Sequence, residues 1–386
     1  MSPLDPFYPL LAVLVAFAIG RRGARIEGVA TTAPPGTLAE AMTRPGDNFL
    51  LIRLVAACAV IYGHSYALSI ESGSGGDAVA RLGLGHGLYA GSIAVDVFFV
   101  VSGFLVAGAW RRRPDLAFFL RSRALRLVPA YAACLVLVAY ALGAAMTTLP
   151  VADYWRDARV FEYVAANLAF GTRQAWTLPG VFAANPHPDV VNGSLWTLPA
   201  EARMYLLVAL LGTIGLLRTS RGFALALAGL ALAAVGAALW VPRVWRSDYL
   251  HLAGLFVAGM GAQVWRARLP FDGRIALAGF GIAALALPTA LFPYVWPLVL
   301  AYACLWFAYG PKRLLAFNRL GDYSYGVYLW GYPIGQTCAA LFPGIGPLAL
   351  CAASLPLALA CGVLSWHLIE KPALRFKQRR AAGAAA

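Results

Sequence analysis

His64 is an imidazole set within an apolar run, eleven positions after Arg53. On a helix that interval is a rise of ~16 Å, so the arginine stands at one end of the run and the histidine beyond its middle. Histidine is the side chain best suited to take and return a proton near neutral pH. Asp96 lies in a second apolar run, Glu201 and Arg203 in another, and Asp322 with Tyr323, Tyr325 and Tyr328 at the start of a fourth. Ionisable groups in such runs are costly and mark functional positions by default. Arg123 and Arg126 are three apart, hence on one helix face. Paired guanidinium groups of this kind hold phosphate bidentately.

Each of these has a plainer reading. A lone histidine in a helix can simply bond a neighbouring carbonyl. Asp96 can cap the start of its helix. Glu201 and Arg203 are two apart and do not face each other, so each needs a partner elsewhere. Tyr325 and Tyr328 suit an aromatic belt at a membrane interface. Arg111, Arg112 and Arg113 are ordinary charges at the end of a span. That does not account for Arg126, three residues before Pro129 and already entering an apolar run.

The elements that must position these residues follow from composition. Of 386 residues, 61% are hydrophobic and 12% charged, and mean hydropathy is +0.70. Soluble domains run nearer ~45–50% apolar and ~25% charged. The chain is therefore expected to be an all-α, polytopic membrane helix bundle, which excludes a soluble enzyme and a disordered chain. A spanning helix needs ~20 mainly apolar residues. Ten such runs occur, at about 49–70, 88–110, 124–148, 195–217, 222–242, 249–265, 275–291, 294–310, 323–342 and 347–369. A shorter run at 7–20, ended by Arg21 and Arg22, is either a short extra span or an interfacial segment. It has no basic leading region and no clear small-residue cleavage site, so it is not read as a cleaved signal peptide. Residues 27–46 read as a polar linker.

The net charge of +14 takes its meaning from its placement. With the first core helix starting in the cytoplasm and the rest alternating, 24 Lys and Arg fall on the cytoplasmic side and six outside, with Arg203 inside a helix. That bias orients the protein with a cytoplasmic C-terminus and gives no reason to expect nucleic acid. The longest outer connection, 149–194, shows no strand or domain pattern. Cys58, Cys134, Cys304, Cys338, Cys351 and Cys361 all lie in apolar runs without metal spacing, so no metal is expected.

Six blocks in order resemble the acyltransferase-3 family of integral membrane O-acyltransferases, over about 46–372. Arg53 and His64 resemble its basic residue and the histidine taken as catalytic. Val95-Asp96-Val-Phe98-Phe99-Val-Val-Ser102-Gly103-Phe104 resembles its second-helix signature. Arg123 and Arg126, with Pro129 and Tyr131, resemble its R-x-x-R motif, associated with the acyl-CoA donor. Ser194-Leu-Trp196-Thr-Leu-Pro-Ala-Glu201 with Tyr205, then Ser324-Tyr325-Gly-Val-Tyr328-Leu-Trp330 with Pro333 and Ile369-Glu370-Lys371-Pro372, resemble its later blocks. Gly331 stands where many members have histidine, and Met204 where phenylalanine is common. The hydrolase-like domain fused to some members has no counterpart here, so the protein is expected to act alone or with a separate partner.

The resemblance implies transfer of an acyl group, expected to be acetyl, from acyl-CoA to a hydroxyl of a cell-envelope or exported polysaccharide. It makes His64 the base, with Glu201 or Asp96 orienting it or binding sugar hydroxyls. Arg53, Arg123 and Arg126 go to the donor, and Trp196, Ser102, Tyr325 and Tyr328 to the acceptor or its surroundings. The expected organisation is an N-terminal segment and linker at 1–46, a membrane acyltransferase domain at 47–372 and a basic cytoplasmic tail at 373–386. The partners are the lipid bilayer and a glycan. A transporter would also have many helices with buried charges, but no half-to-half repeat is evident and it leaves R-x-x-R unexplained. A glycan-binding or assembly subunit without catalysis is the third reading.

Overall fold

A computed structural model describes residues 36–71, 76–171, 173–240 and 248–376. The run at 7–20 and the end of the basic tail lie outside them. Each of the ten core apolar runs carries a helix. These are α1 Phe49–Leu68, α2 Ala90–Arg112, α3 Leu116–Leu137, α4 Thr197–Thr213 and α5 Ser220–Trp240. They continue with α6 Asp248–Val264, α7 Gly273–Ala286, α8 Phe292–Tyr309, α9 Ser324–Leu341 and α10 Pro347–Ser365. α3 continues through a π-helical turn, Val138–Leu142, to Met146, and α10 through another, Trp366–Glu370. Among the described residues no strand forms, only two isolated bridges.

Among the described residues, five helical stretches are long and apolar enough to cross a membrane: Phe49–Leu68, Ala90–Arg112, Leu116–Met146, Phe292–Tyr309 and Pro347–Phe376. The protein is thus an all-helical, multi-pass membrane protein. Lipid supplies no partners for backbone polar groups, so helices that satisfy their own ladders are what such a sequence can form there. Helix ends show the usual devices. Asp272 accepts from the backbone NH of Arg274 ahead of α7, and Pro347 opens α10 without losing a ladder bond.

The chain divides into two compact units, with boundaries inside α1, α2, α3 and α4. The first comprises Met1–Ile52, Asp96–Phe119 and Met204–Arg319. Its packing depends on small residues that let backbones approach. A Cβ on Gly103 would collide with the Phe256 carbonyl, and one on Gly259 with that of Val100, so α2 and α6 touch backbone to backbone. Gly212 of α4 lies under the Trp110 indole in the same way. Phe49, Phe104 and Tyr309 form an aromatic group beside this crossing, with ring centroids 5.6–6.2 Å apart.

The second unit comprises Arg53–Val95, Leu120–Arg203 and Leu320–Ala386. α9 and α10 form a hairpin closed at Gly326 and Gly362, which face each other. The outer connection is more ordered than its sequence pattern promised. It forms two short helices, Val151–Arg156 and Ala158–Leu168, and buries Tyr154 and Tyr163 with Tyr131 of α3. The Tyr154 hydroxyl donates to the Ala139 carbonyl at 2.6 Å and that of Tyr131 to the Asn167 carbonyl at 3.1 Å. Those tyrosines come at irregular intervals, so no helix or strand period exposed them beforehand.

Gly259→Val tests the α2–α6 crossing. It should cost about 1–3 kcal/mol through overpacking, seen as a lowered unfolding temperature in detergent, whereas Gly259→Ala should cost less. Equal stability of the valine variant would show that the two backbones do not meet there.

Candidate functional site

Most of the residues singled out by chemistry lie in the second unit: Arg53, His64, Arg123, Arg126, Trp196, Glu201, Tyr325 and Tyr328. Asp96 and Ser102 belong to the first.

At one end of the second unit four charges form a closed set. Asp322, just before α9, takes Arg53 Nη1 at 2.6 Å and Arg126 Nη2 at 2.7 Å on the same oxygen, Oδ2. Its Oδ1 accepts from Ser324 at 2.7 Å. The second nitrogen of Arg126, Nη1, reaches Glu370 Oε2 at 3.0 Å, and Ser365 donates to Glu370 Oε1 at 2.9 Å. The π-helical turn at the end of α10 carries Glu370 in this position, 2% exposed. Burial alone would raise the Asp322 pKa. The nearby Arg126 and Arg53 charges and the Ser324 hydrogen bond outweigh it and bring it down to about 2. Arg123 lies one turn before Arg126 on α3.

Eleven residues along α1 from Arg53, His64 meets the outer connection. Its ring packs edge-on against Tyr332 of α9, with centroids 5.0 Å apart. Tyr332 in turn lies against Gly193, where a side chain would strike its ring. His187 is close enough to act electrostatically on His64. His64 Nδ1 is buried without a hydrogen-bond partner, so no neighbouring carbonyl occupies it. Buried polar atoms are nearly always paired, and an exception calls for a cause such as a catalytic role.

The segment above this histidine is held by side-chain amides. Asn185 donates to Gln336 Oε1 at 2.7 Å and to its carbonyl at 2.8 Å. Gln336 donates to the carbonyls of His187 and Val190 at 2.8 and 2.7 Å. Asn192 donates to the Leu329 carbonyl and caps the 3-10 turn Gly193–Trp196 that leads into α4. Trp196 ends that turn half-buried, and Glu201 follows one turn into α4, also half-buried.

Two of the plainer readings do not hold. Tyr325 and Tyr328 are not an interfacial belt, for both are buried. The Tyr325 hydroxyl donates to the Leu127 carbonyl at 2.9 Å, and that of Tyr328 to the Ser194 carbonyl at 2.9 Å, with Thr197 Oγ1 2.7 Å away. Asp96 is not a cap either, since α2 starts six residues before it. It is 3% exposed and takes His251 Nε2 at 2.8 Å and Trp296 Nε1 at 2.9 Å. Ser102 lies six positions further along α2, half-buried.

His251 and the pairing of Glu370 escaped the sequence reading. His251 carries the same signal as His64, an imidazole in an apolar run, and could have been found by it. Gly331 explains a departure noted above. A side chain there would strike Ile61 of α1, so the close α1–α9 contact leaves no room for histidine. Among the described residues no cluster of His, Cys, Asp and Glu could hold a metal ion.

Asp322→Asn would leave two arginines short of a carboxylate. Breaking one side of a buried pair costs about 3–5 kcal/mol, readable as a lower unfolding temperature in detergent at neutral pH. The acid limb tests the cause. A carboxyl held at about 2 when folded, against ~3.9 unfolded, stabilises fully above ~4 and loses that contribution as pH falls towards 2. The parent should therefore lose stability across that window by an amount the Asn variant lacks.

The comparisons with known proteins point one way. A family model described as an acyltransferase domain, Acyl_transf_3, matches residues 48–367. A protein of Shigella phage Sf6 named O-acetyl transferase is 26% identical over 335 residues, covering 83% of this chain and 93% of that protein. Nodulation protein 10 of Rhizobium leguminosarum bv. viciae is 29% identical over 170 residues, 43% of this chain and 44% of that protein. No solved structure gives a significant match.

Proposed function

The chain belongs to the acyltransferase-3 family and is an O-acyltransferase, and we propose that it moves an acetyl group from acetyl-CoA, bound from the cytoplasm, to a hydroxyl of a cell-envelope or exported polysaccharide. The observation that carries this reading is His64, with a buried, unbonded Nδ1 beside the outer connection, on the same helix as Arg53. In this reading all ten core helices cross the inner membrane and the C-terminus is cytoplasmic. Residues 47–372 form the catalytic domain.

The geometry supports the following roles in this reading. His64 takes the proton of the acceptor hydroxyl as that oxygen attacks the thioester carbonyl, and returns it to the departing thiol. The hydroxyl oxygen forms the new ester bond, the carbon–sulfur bond breaks, and CoA leaves as thiol. Arg123 faces the donor phosphates. Arg53 and Arg126, each tied to Asp322, shape and charge that entrance. Glu201 and Trp196 receive the acceptor: a carboxylate accepts from sugar hydroxyls, and an indole face covers the ring. Tyr325 and Tyr328 brace the helices around this path through their bonds to carbonyls.

Two outcomes check these assignments. His64→Ala should reduce acyl transfer to envelope glycan by at least a hundredfold, the lower range for losing a general base, measured as base-releasable acetate at equal membrane level. Its affinity for CoA should stay within about twofold of the parent. Near-normal transfer by a folded His64→Ala protein removes the base assignment. Arg123→Ala should weaken CoA binding about tenfold or more, while Arg126→Ala should lower both CoA binding and the unfolding temperature. Loss of binding is expected to be smaller for dephospho-CoA if Arg123 contacts the 3′-phosphate. If both variants bind CoA like the parent, the donor lies elsewhere.

A further inference from the structure

The first unit holds a charged cluster that the mechanism above leaves unused. Asp96 of α2 is almost fully buried, and its two oxygens are divided between two partners on other helices. His251 Nε2 of α6 lies 2.8 Å from Oδ1, and the Trp296 indole NH of α8 donates to Oδ2 at 2.9 Å. A carboxylate can only accept, so the Nε2 that faces it carries the proton. In the neutral imidazole the ring's other nitrogen, Nδ1, is then an acceptor, and no described residue bonds to it. The His251 side chain is 42% exposed, against 4% for Asp96. The carboxylate is thus spent on aiming an imidazole whose free edge is open.

Two further features describe what meets that edge. Trp296 is stacked on Phe292, with centroids 5.6 Å apart and planes 21° from parallel, which gives the cluster an aromatic wall. Asp96, His251 and Trp296 all stand within the first two turns of α2, α6 and α8. Alternation of the helices assigns these three starts to the extracytoplasmic side. An imidazole acceptor beside an aromatic wall is the chemistry that recognises a hydroxylated ring, the hydroxyl donating and the ring's CH face covering the aromatic one.

We propose that His251, aimed by Asp96 and Trp296, is a hydroxyl-binding subsite for a sugar of the acceptor glycan. It rests on the glycan-acylation reading above. His251 here touches substrate without exchanging its proton in the reaction, while Asp96 is a positioning residue.

The test separates recognition from scaffolding through the two ring nitrogens. Glutamine at 251 keeps an NH where Nε2 stands, so it can still donate to Asp96, but offers no acceptor where Nδ1 stands. Parent, His251→Gln, His251→Ala and His64→Ala are produced in cells lacking the native protein, and base-releasable acetate on envelope polysaccharide is measured at equal membrane level. The unfolding temperature and CoA affinity of each purified protein are measured alongside. The subsite predicts that His251→Gln keeps the parent's unfolding temperature within about 2 °C and its CoA affinity within about twofold, yet loses at least tenfold in acylation. Asp96→Asn should lose acylation with the same donor affinity. Rescue of acylation by His251→Gln, where His251→Ala fails, makes His251 a scaffold residue and overturns the proposal. So does parental acylation in His251→Ala, or a His251→Gln loss matched by lost stability or CoA affinity. If cells producing the parent carry no more ester than cells without it, the glycan-acylation reading itself falls, and the subsite with it.

Discussion

Two acids and two arginines from four distant parts of the chain meet in the second unit, and its helices are tied together there. Asp322 and Glu370 are both buried, and an unpaired carboxylate in such surroundings is expensive enough to unfold or neutralise the site. Arg126 serves both, one guanidinium nitrogen to each, and Arg53 shares the Asp322 oxygen that Arg126 uses. The set has two charges of each sign. It joins the start of α1, the middle of α3, the entry to α9 and the end of α10 at one level. Because α1 is a continuous helix, fixing Arg53 also fixes the height of His64 about 16 Å further along. The chemistry at one place is thus held by ion pairs at another.

Much of this was legible in the sequence, for identifiable reasons. Apolar runs of spanning length leave little choice of secondary structure, so each carries a helix, and five stretches among the described residues are long and apolar enough to cross a membrane. The cost of ionisable groups in those runs singled out Arg53, His64, Asp96, Arg126, Glu201 and Asp322. Sequence gives that cost without giving the partner. Arg53 and Asp322 are 269 residues apart, and Asp96 and Trp296 are 200 apart. Tyr325 and Tyr328 misled for a related reason. A tyrosine near the end of a run reads as an interfacial anchor, but one whose hydroxyl finds a carbonyl inside can be buried whole. The outer connection was opaque because its core is built from irregularly spaced tyrosines and from amides such as Asn185 and Gln336.

The contacts also bear on how the helices alternate. Arg53, Asp322 and Glu370 stand near helix ends that strict alternation places on one side of the membrane, and Arg126 of α3 meets them there. Arg111 at the end of α2 donates to the Leu217 carbonyl just past α4, joining two further ends of that side. Asp96, His251 and Trp296 join three ends assigned to the other side, and Gln336, late in α9, joins the outer connection. A helix entered in the wrong direction would put one of these partners some 30 Å away, across the hydrocarbon. On the proposed topology each of these contacts joins ends of the same side.

Gly331 narrows the choice of base. Where the resemblance led to the expectation of a second histidine, this chain has a glycine whose missing side chain is filled by Ile61, one turn before His64 on α1. The same contact that excludes an imidazole at 331 presses α1 against α9 and sets His64 against Tyr332. Any enlargement at 331 would push α1 away and lift His64 off that ring. The loss of one histidine and the placement of the other are then a single packing decision. On the proposed mechanism the proton transfer in the second unit falls to His64 alone, with its unbonded Nδ1 as the atom available to carry it.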